Sequence, residues 1–283
     1  MIVAARDLRI EPVTGALGAE ILGIDIASDL DDATIAAIRQ ALLEHCVIFF
    51  RDQELDIPRQ KAFTSRFGTL FLHPNIAGSA ADPAVIDVVR NPGDKKIIGE
   101  DWHSDTPQVS APPMGSLLYA VEVPAYGGDT MFANQYLAYD ALSPGMKTLL
   151  DGLRAVHSDR RVAGPARDLN ASNAKKLKDD AEWREPANVH PVVRTHPETH
   201  RKALYVNRQS TIAFEDMTED ESKPLLDYLC QHAHRPEFTC RFRWRKGSVA
   251  FWDNRCAQHM AINDTGMSRR VMRRLQIVGD KPF

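Results

Sequence analysis

The 283-residue sequence lacks the features that would announce several large classes of protein. No apolar stretch approaches the roughly 20 residues of a spanning helix. The opening run Met1–Ala5 is broken by Arg6 and Asp7, too soon for the apolar core of a secretory leader, so a cytoplasmic protein is expected. Cysteine is sparse: Cys46, Cys230, Cys240 and Cys256 form no C-x-x-C pair, which argues against a zinc knuckle or a disulfide framework and for reduced thiols. Charge of one sign is missing too. Thirty-five Lys and Arg oppose 38 Asp and Glu, a net charge of −3, so neither nucleic acid nor an anionic membrane is expected as a partner. G-x-G-x-x-G, G-x-x-x-x-G-K-[ST] and G-x-S-x-G are absent, removing the usual dinucleotide, P-loop and nucleophile-elbow signals. Without repeats or Gly/Ser linkers the chain reads as one domain, 1–283, with a charged insertion at 158–188 that is either a lid or a surface excursion.

What the sequence has is 43% hydrophobic residues in short runs. Asp31 or Asp32 caps a helix with Ile35, Ile38 and Leu42 on one face, and Val47–Phe50 follows as a buried strand. A second helix is predicted from Pro58 to Phe67, and two short ones between Asn134 and Leu153, broken at Pro144. A longer helix spans Glu219 to His232. Strands are predicted at 84–89, 116–123, 202–207, 238–245, 248–252 and 270–278. Period-two alternation sets Phe238, Cys240, Phe242 and Trp244 on one face, against Arg241, Arg243 and Arg245 on the other. Helices early and strands late predict a mixed α/β, β-rich fold with flanking helices, not alternating βαβ units.

Ten histidines are a mild excess, and their spacing matters more than their number. Ligands two residues apart on an extended segment point the same way, so His-x-Asp is a natural bidentate metal motif. It is also common by chance. Three versions occur: His103-Ser-Asp105, His157-Ser-Asp159 and His196-Pro-Glu198. A mononuclear non-haem iron site needs two His and one carboxylate with open positions left over. His259, just beyond the strand 248–252, is the best third ligand for the first pair. A dicarboxylate cosubstrate would need an arginine fork with a hydroxyl partner. Arg270 lies 11 residues past His259 and Thr130 lies 25 past Asp105, whereas the position 25 past Asp159 is an arginine and Glu198 follows Pro197 in a turn.

With His103-x-Asp105, Thr130, His259 and Arg270 in this register, the sequence resembles the Fe(II)/2-oxoglutarate-dependent oxygenases of the taurine dioxygenase and 2,4-dichlorophenoxyacetate dioxygenase family. Further matching stretches are Asp101–Asp105, Tyr126-Gly-Gly-Asp-Thr130, His190–Pro197, Ala203–Asn207, Phe251-Trp-Asp-Asn-Arg255 and Gly279–Phe283. The resemblance implies a double-stranded β-helix, or jelly roll. It also implies Fe(II) held by His103, Asp105 and His259, with 2-oxoglutarate and O2 as cosubstrates and the distal carboxylate on Arg270 and Thr130.

Alternation along 270–274 puts Arg270, Met272 and Arg274 on one face. In the taurine branch the residues matching His73 and Arg274 hold the substrate's anionic group, and Thr106 joins them as a candidate contact. The resemblance therefore implies a small organic anion, such as a sulfonate, alkyl sulfate or aryloxyalkanoate, oxidised with release of succinate and CO2. Asn75-Ile76 after His73-Pro74 and Arg208-Gln209-Ser210 after Asn207 depart from the taurine branch, which points away from taurine itself. A homo-oligomer, dimer or tetramer, is expected. Two other readings remain open at this point: a metal-free jelly-roll binding protein, and a zinc-dependent hydrolase using the same triad.

Overall fold

The structure, a computed structural model, describes residues 8–94, 99–161 and 187–283. Residues 162–186, most of the insertion read as a lid, lie outside those described. The chain opens with β1 (Arg9–Pro12) and β2 (Ala19–Leu22), then α1 (Asp32–His45). Asp31 caps α1 by accepting the Thr34 backbone N–H, and Ile35, Ile38 and Leu42 form its buried face. The helix stops at Cys46, whose left-handed backbone (φ 63°) directs its N–H to the Leu42 carbonyl. That stop launches β3 (Val47–Phe50) beside β2, the parallel pair in the sheet, with α1 as its crossover.

Next come α2 (Ile57–Ser65), β4 (Ile86–Arg90), β5 (Gly115–Glu122), β6 (Thr130–Asn134), α3 (Gln135–Asp140) and α4 (Pro144–Leu150). β7 (Arg154–Ser158), β8 (Ala187–Pro191), β9 (Val193–Thr195), β10 (Lys202–Leu204), β11 (Thr211–Phe214) and α5 (Glu219–Ala233) follow. The last strands are β12 (Thr239–Phe242), β13 (Val249–Asp253), β14 (Ala257–Ala261) and β15 (Arg270–Ile277).

A seven-stranded sheet runs β1-β2-β3-β13-β5-β15-β4, and three-stranded sheets run β12-β6-β14 and β11-β7-β8. The β3 sequence Val-Ile-Phe-Phe is buried on both faces, and its alternation divides two cores. Ile48 and Phe50 pack with α1 and α2 on the outer side, while Val47 and Phe49 face the β12-β6-β14 sheet. β13 and β5 repeat this division. Phe49 stacks on Phe242 of β12 with centroids 4.0 Å apart, a contact across the two layers worth about 0.5–1.5 kcal/mol beyond its area. Phe242 and Cys240 point into this core and Arg241 and Arg243 away from it, as the period-two pattern predicts.

The β-rich core of two packed sheets flanked by helices agrees with the jelly-roll expectation. The linear distribution does not. Strands recur from one end of the described residues to the other, and β6, β7, β8, β9, β11 and β14 escape sequence reading because each has only three to five residues. Several mix polar and apolar residues on a buried face. His259 lies beyond the strand 248–252 as expected, but inside a further strand, β14, that was not.

Candidate active site

Two backbone hydrogen bonds bring the histidines together. His103 and His259 exchange N–H···O bonds of 3.0 and 2.9 Å in an isolated antiparallel bridge, leaving their rings 4.1 Å apart. Asp105, two residues on, points the same way. Its Oδ1 lies 4.0 Å from Nε2 of His103 and 4.0 Å from Nε2 of His259. One ligand atom from each residue falls within 4.8 Å of the others, and all three side chains are buried. Gly99 makes room at this point: a Cβ there would lie 3.0 Å from Cε1 of His103, on a backbone with φ +84°.

Supporting groups fix the donor atoms. Nδ1 of His103 lies 2.7 Å from the Asp101 carbonyl, which can only accept, so Nδ1 carries the proton and Nε2 keeps a free lone pair. Ser116 of β5 donates to Asp105 Oδ2 at 2.6 Å. Asn254 receives the Asp105 backbone N–H and the Trp252 indole N–H, and its amide donates to Ser116. Gln276 of β15 also donates to Ser116. Asp105 Oδ2 is therefore held by the fold, while Oδ1 faces the two histidines.

Arg274 donates to that same Oδ1 at 2.9 Å, and its Nε is buried without a partner. Burial raises the Asp105 pKa, but Arg274, His259, His103 and Ser116 outweigh it and hold the carboxyl well below its ordinary range. Burial pushes both histidines down, with Asp105 opposing, so their imidazoles are neutral and free to act as ligands.

A second group gathers around Trp244. Its indole N–H donates to Thr130 Oγ1 at 2.9 Å, leaving the threonine hydroxyl proton free to be donated elsewhere. The guanidinium of Arg270 lies 5.8 Å from the same ring. Arg270 is 7% exposed, and its Nε and Nη2 have no partner. Burial lowers its pKa to about 10 despite nearby Asp129. Gly128 explains part of the Gly-Gly turn, since a Cβ there would meet Thr265 at 2.7 Å and Arg270 Cδ at 3.1 Å. A buried cation with unpartnered N–H groups, and a free hydroxyl proton on the threonine bound to the same indole, have the chemistry to hold a carboxylate.

Thr106 follows Asp105 in a left-handed conformation (φ 52°), although it is β-branched and precedes Pro107. Such a backbone costs about 1–3 kcal/mol and persists only where its surroundings impose it. His73 is buried, and its Nδ1 accepts the backbone N–H groups of Asn75 and Ile76. Asn75 in turn donates to Asp159 at 2.7 Å. The competing His-x-acid pairs serve the fold. His157 faces the Thr211 hydroxyl, and His196 binds Asp253. Sequence reasoning missed Ser116, Trp244 and Gln276, and it quoted Asn254 only as part of a motif.

The model of the taurine catabolism dioxygenase TauD, TfdA family matches residues 9–276, and the chain belongs to that family. Its class is that of the alpha-ketoglutarate-dependent dioxygenases, which are oxidoreductases. Among relatives, the alkylsulfatase of Acinetobacter baylyi is 35% identical over 97% of this chain and 86% of its own length. The alpha-ketoglutarate-dependent sulfate ester dioxygenase of Pseudomonas putida is 36% identical over 98% and 92%. A taurine dioxygenase structure from Burkholderia xenovorans superposes with a TM-score of 0.83 at 36% identity, covering 98% of this chain and 91% of that one.

Proposed function

We propose that His103, Asp105 and His259 hold Fe(II), that Arg270 and Thr130 bind the distal carboxylate of 2-oxoglutarate, and that the protein uses O2 to hydroxylate a small organic anion. The observation that carries the reading is Arg270. A buried guanidinium with two unpartnered nitrogens is costly unless a carboxylate completes it, and the dicarboxylate cosubstrate supplies that group. The donor set fits the metal: two neutral imidazoles and one carboxylate oxygen converge, and among the described residues no fourth His, Cys, Asp or Glu joins them. When bound, iron and 2-oxoglutarate supply the oxidative chemistry, with succinate and CO2 as products.

The chain's own part is orientation. Ser116 and Asn254 keep Asp105 Oδ1 aimed at the two histidines, and the Asp101 carbonyl fixes the His103 tautomer. Arg274, with its unpartnered Nε, is the cation that receives the anionic substrate, and His73 and Thr106 are assigned to the same substrate. The relatives acting on sulfate esters favour an alkyl sulfate, with sulfonates and aryloxyalkanoates as the other candidates. A dimer or tetramer in solution belongs to the same proposal, and light scattering reads it.

The test is an anaerobic titration with Fe(II) and 2-oxoglutarate, followed by an O2-dependent succinate assay over a panel of those three anion classes. A weak visible charge-transfer band, then substrate-dependent succinate release, is the expected result. No band would overturn the iron and cosubstrate assignment, and a band without coupling to any anion would overturn the role given to Arg274 and His73.

A further inference from the structure

The loop carrying Asp105 is held from two sides. Upstream of Thr106, Asn254 and Ser116 fix the Asp105 backbone and Oδ2. Downstream, strand β8 does the equivalent work with two side chains on one face. His190 Nε2 lies 2.9 Å from the Pro107 carbonyl and 3.0 Å from that of Val109, and Asn188 Nδ2 donates to the Gln108 carbonyl between them. Carbonyls only accept, so Nε2 bears the proton and is shared by two oxygens. Three consecutive carbonyls are thus bound by one edge strand more than 75 residues away in sequence. Between the two clamps sits Thr106, in a conformation that a threonine before a proline does not adopt unaided.

We infer that His190 and Asn188 are positioning residues for the metal carboxylate: by binding the carbonyls of 107–109 they impose the left-handed turn at Thr106 that aims Asp105 at His103 and His259. The inference rests on the metal assignment above. It explains a member of the His190–Pro197 stretch that the ligand set and the cosubstrate cradle leave without a role. His190 is not among the residues assigned to the metal or the cosubstrate, and both contacts of its Nε2 fall on the loop.

Metal affinity, not turnover, is the decisive readout. In an anaerobic Co(II) titration followed by visible absorption, His190→Leu should weaken binding by about 10-fold or more, the range seen when groups that orient ligands are removed. Asn188→Ala, which loses one of the three carbonyl contacts, should weaken it by about 3-fold, and His190→Gln, which can still donate, should stay closer to wild type than Leu. The specific signature is rescue. Adding Thr106→Gly to His190→Leu removes the strain the clamp opposes, so Co(II) affinity should recover most of the loss.

Wild-type affinity in both His190→Leu and Asn188→Ala overturns the inference. So does a loss that Thr106→Gly leaves untouched, which would mark His190 as a general packing residue. If His190→Leu does not fold, Asn188→Ala alone and with Thr106→Gly decides by the same criteria. A wild-type protein that binds no Co(II) would instead overturn the metal assignment itself.

Discussion

Among the described residues two buried clusters have the composition of a metal site, and they are built for opposite ends. His103, Asp105 and His259 bring ligand atoms within 4.8 Å of one another, and so do His196, Asp253 and Cys256. In the second cluster the histidine and the carboxylate bind each other directly. His196 Nε2 lies 3.0 Å from Asp253 Oδ2, Arg255 donates to both Asp253 oxygens, and Arg255 also reaches Glu198, which is clasped by Arg39. Every strong donor there finds an acceptor, so the cluster is an internal brace joining α1, β13 and the 196–199 turn. At the first cluster Ser116 and Arg274 hold Asp105, but its Oδ1 stays 4.0 Å from each imidazole, and the buried Nε and Nη2 of neighbouring Arg270 find no acceptor. Proximity of ligand-type residues does not distinguish the two. Unsatisfied valence does.

The contrast is breakable by substitution. Asp105→Ala should abolish Fe(II)-dependent succinate formation altogether while the far-ultraviolet circular dichroism is retained; residual turnover would show that the carboxylate is not a ligand. Arg255→Met should leave the metal site loadable but lower unfolding free energy by about 3–5 kcal/mol, because Asp253 is left buried and largely uncompensated. Denaturant melts measure it.

Arg270→Met should do the reverse, raising the 2-oxoglutarate dissociation constant by about 100-fold, or ~2.7 kcal/mol, with thermal stability unchanged or improved. A destabilised Arg270→Met would mean that the guanidinium is a brace like Arg255.

The smallest effect concerns His157, which burial and neighbouring His190 push down to about 3. Its unfolded-state pKa is near 6.5, so the unfolded chain binds the extra proton first. The stability it contributes is present above about pH 6.5 and is lost as pH falls from there towards 3, an effect of order 2 kcal/mol by pH 5. His157→Gln should flatten that part of the thermal-midpoint profile.

Much of the candidate site was legible in the sequence because it is spread over short, spaced motifs whose residue types carry the chemistry. His103, Asp105 and His259 do converge, and Thr130 and Arg270 do meet, through Trp244. What was hidden depends on register. Ser116 and Gln276 are 160 residues apart, and single polar residues on apolar strands carry no signal until β5 and β15 pair Gln276 opposite Ser116. Arg274 was expected on the substrate side, and its hydrogen bond to Asp105 comes from the same pairing of distant strands. Strands β6 and β14 were missed for a related reason. Polar candidates such as Thr130 and His259 replace the apolar side chains that alternation would need.

Strand β15 can be viewed as a ruler. Arg270 and Arg274 project from one face four residues apart, a span of about 13 Å at the usual rise of a strand. Its two graduations are fixed by backbone, not by flexible loops. On the proposed roles of the two arginines, the distance between the grip on the cosubstrate and the grip on the substrate is an inherited length, against which the reactive carbon of any substrate would be measured. Substituting side chains can reshape the walls around that length. Deleting one residue between the two arginines would turn one of them to the opposite face and erase the scale.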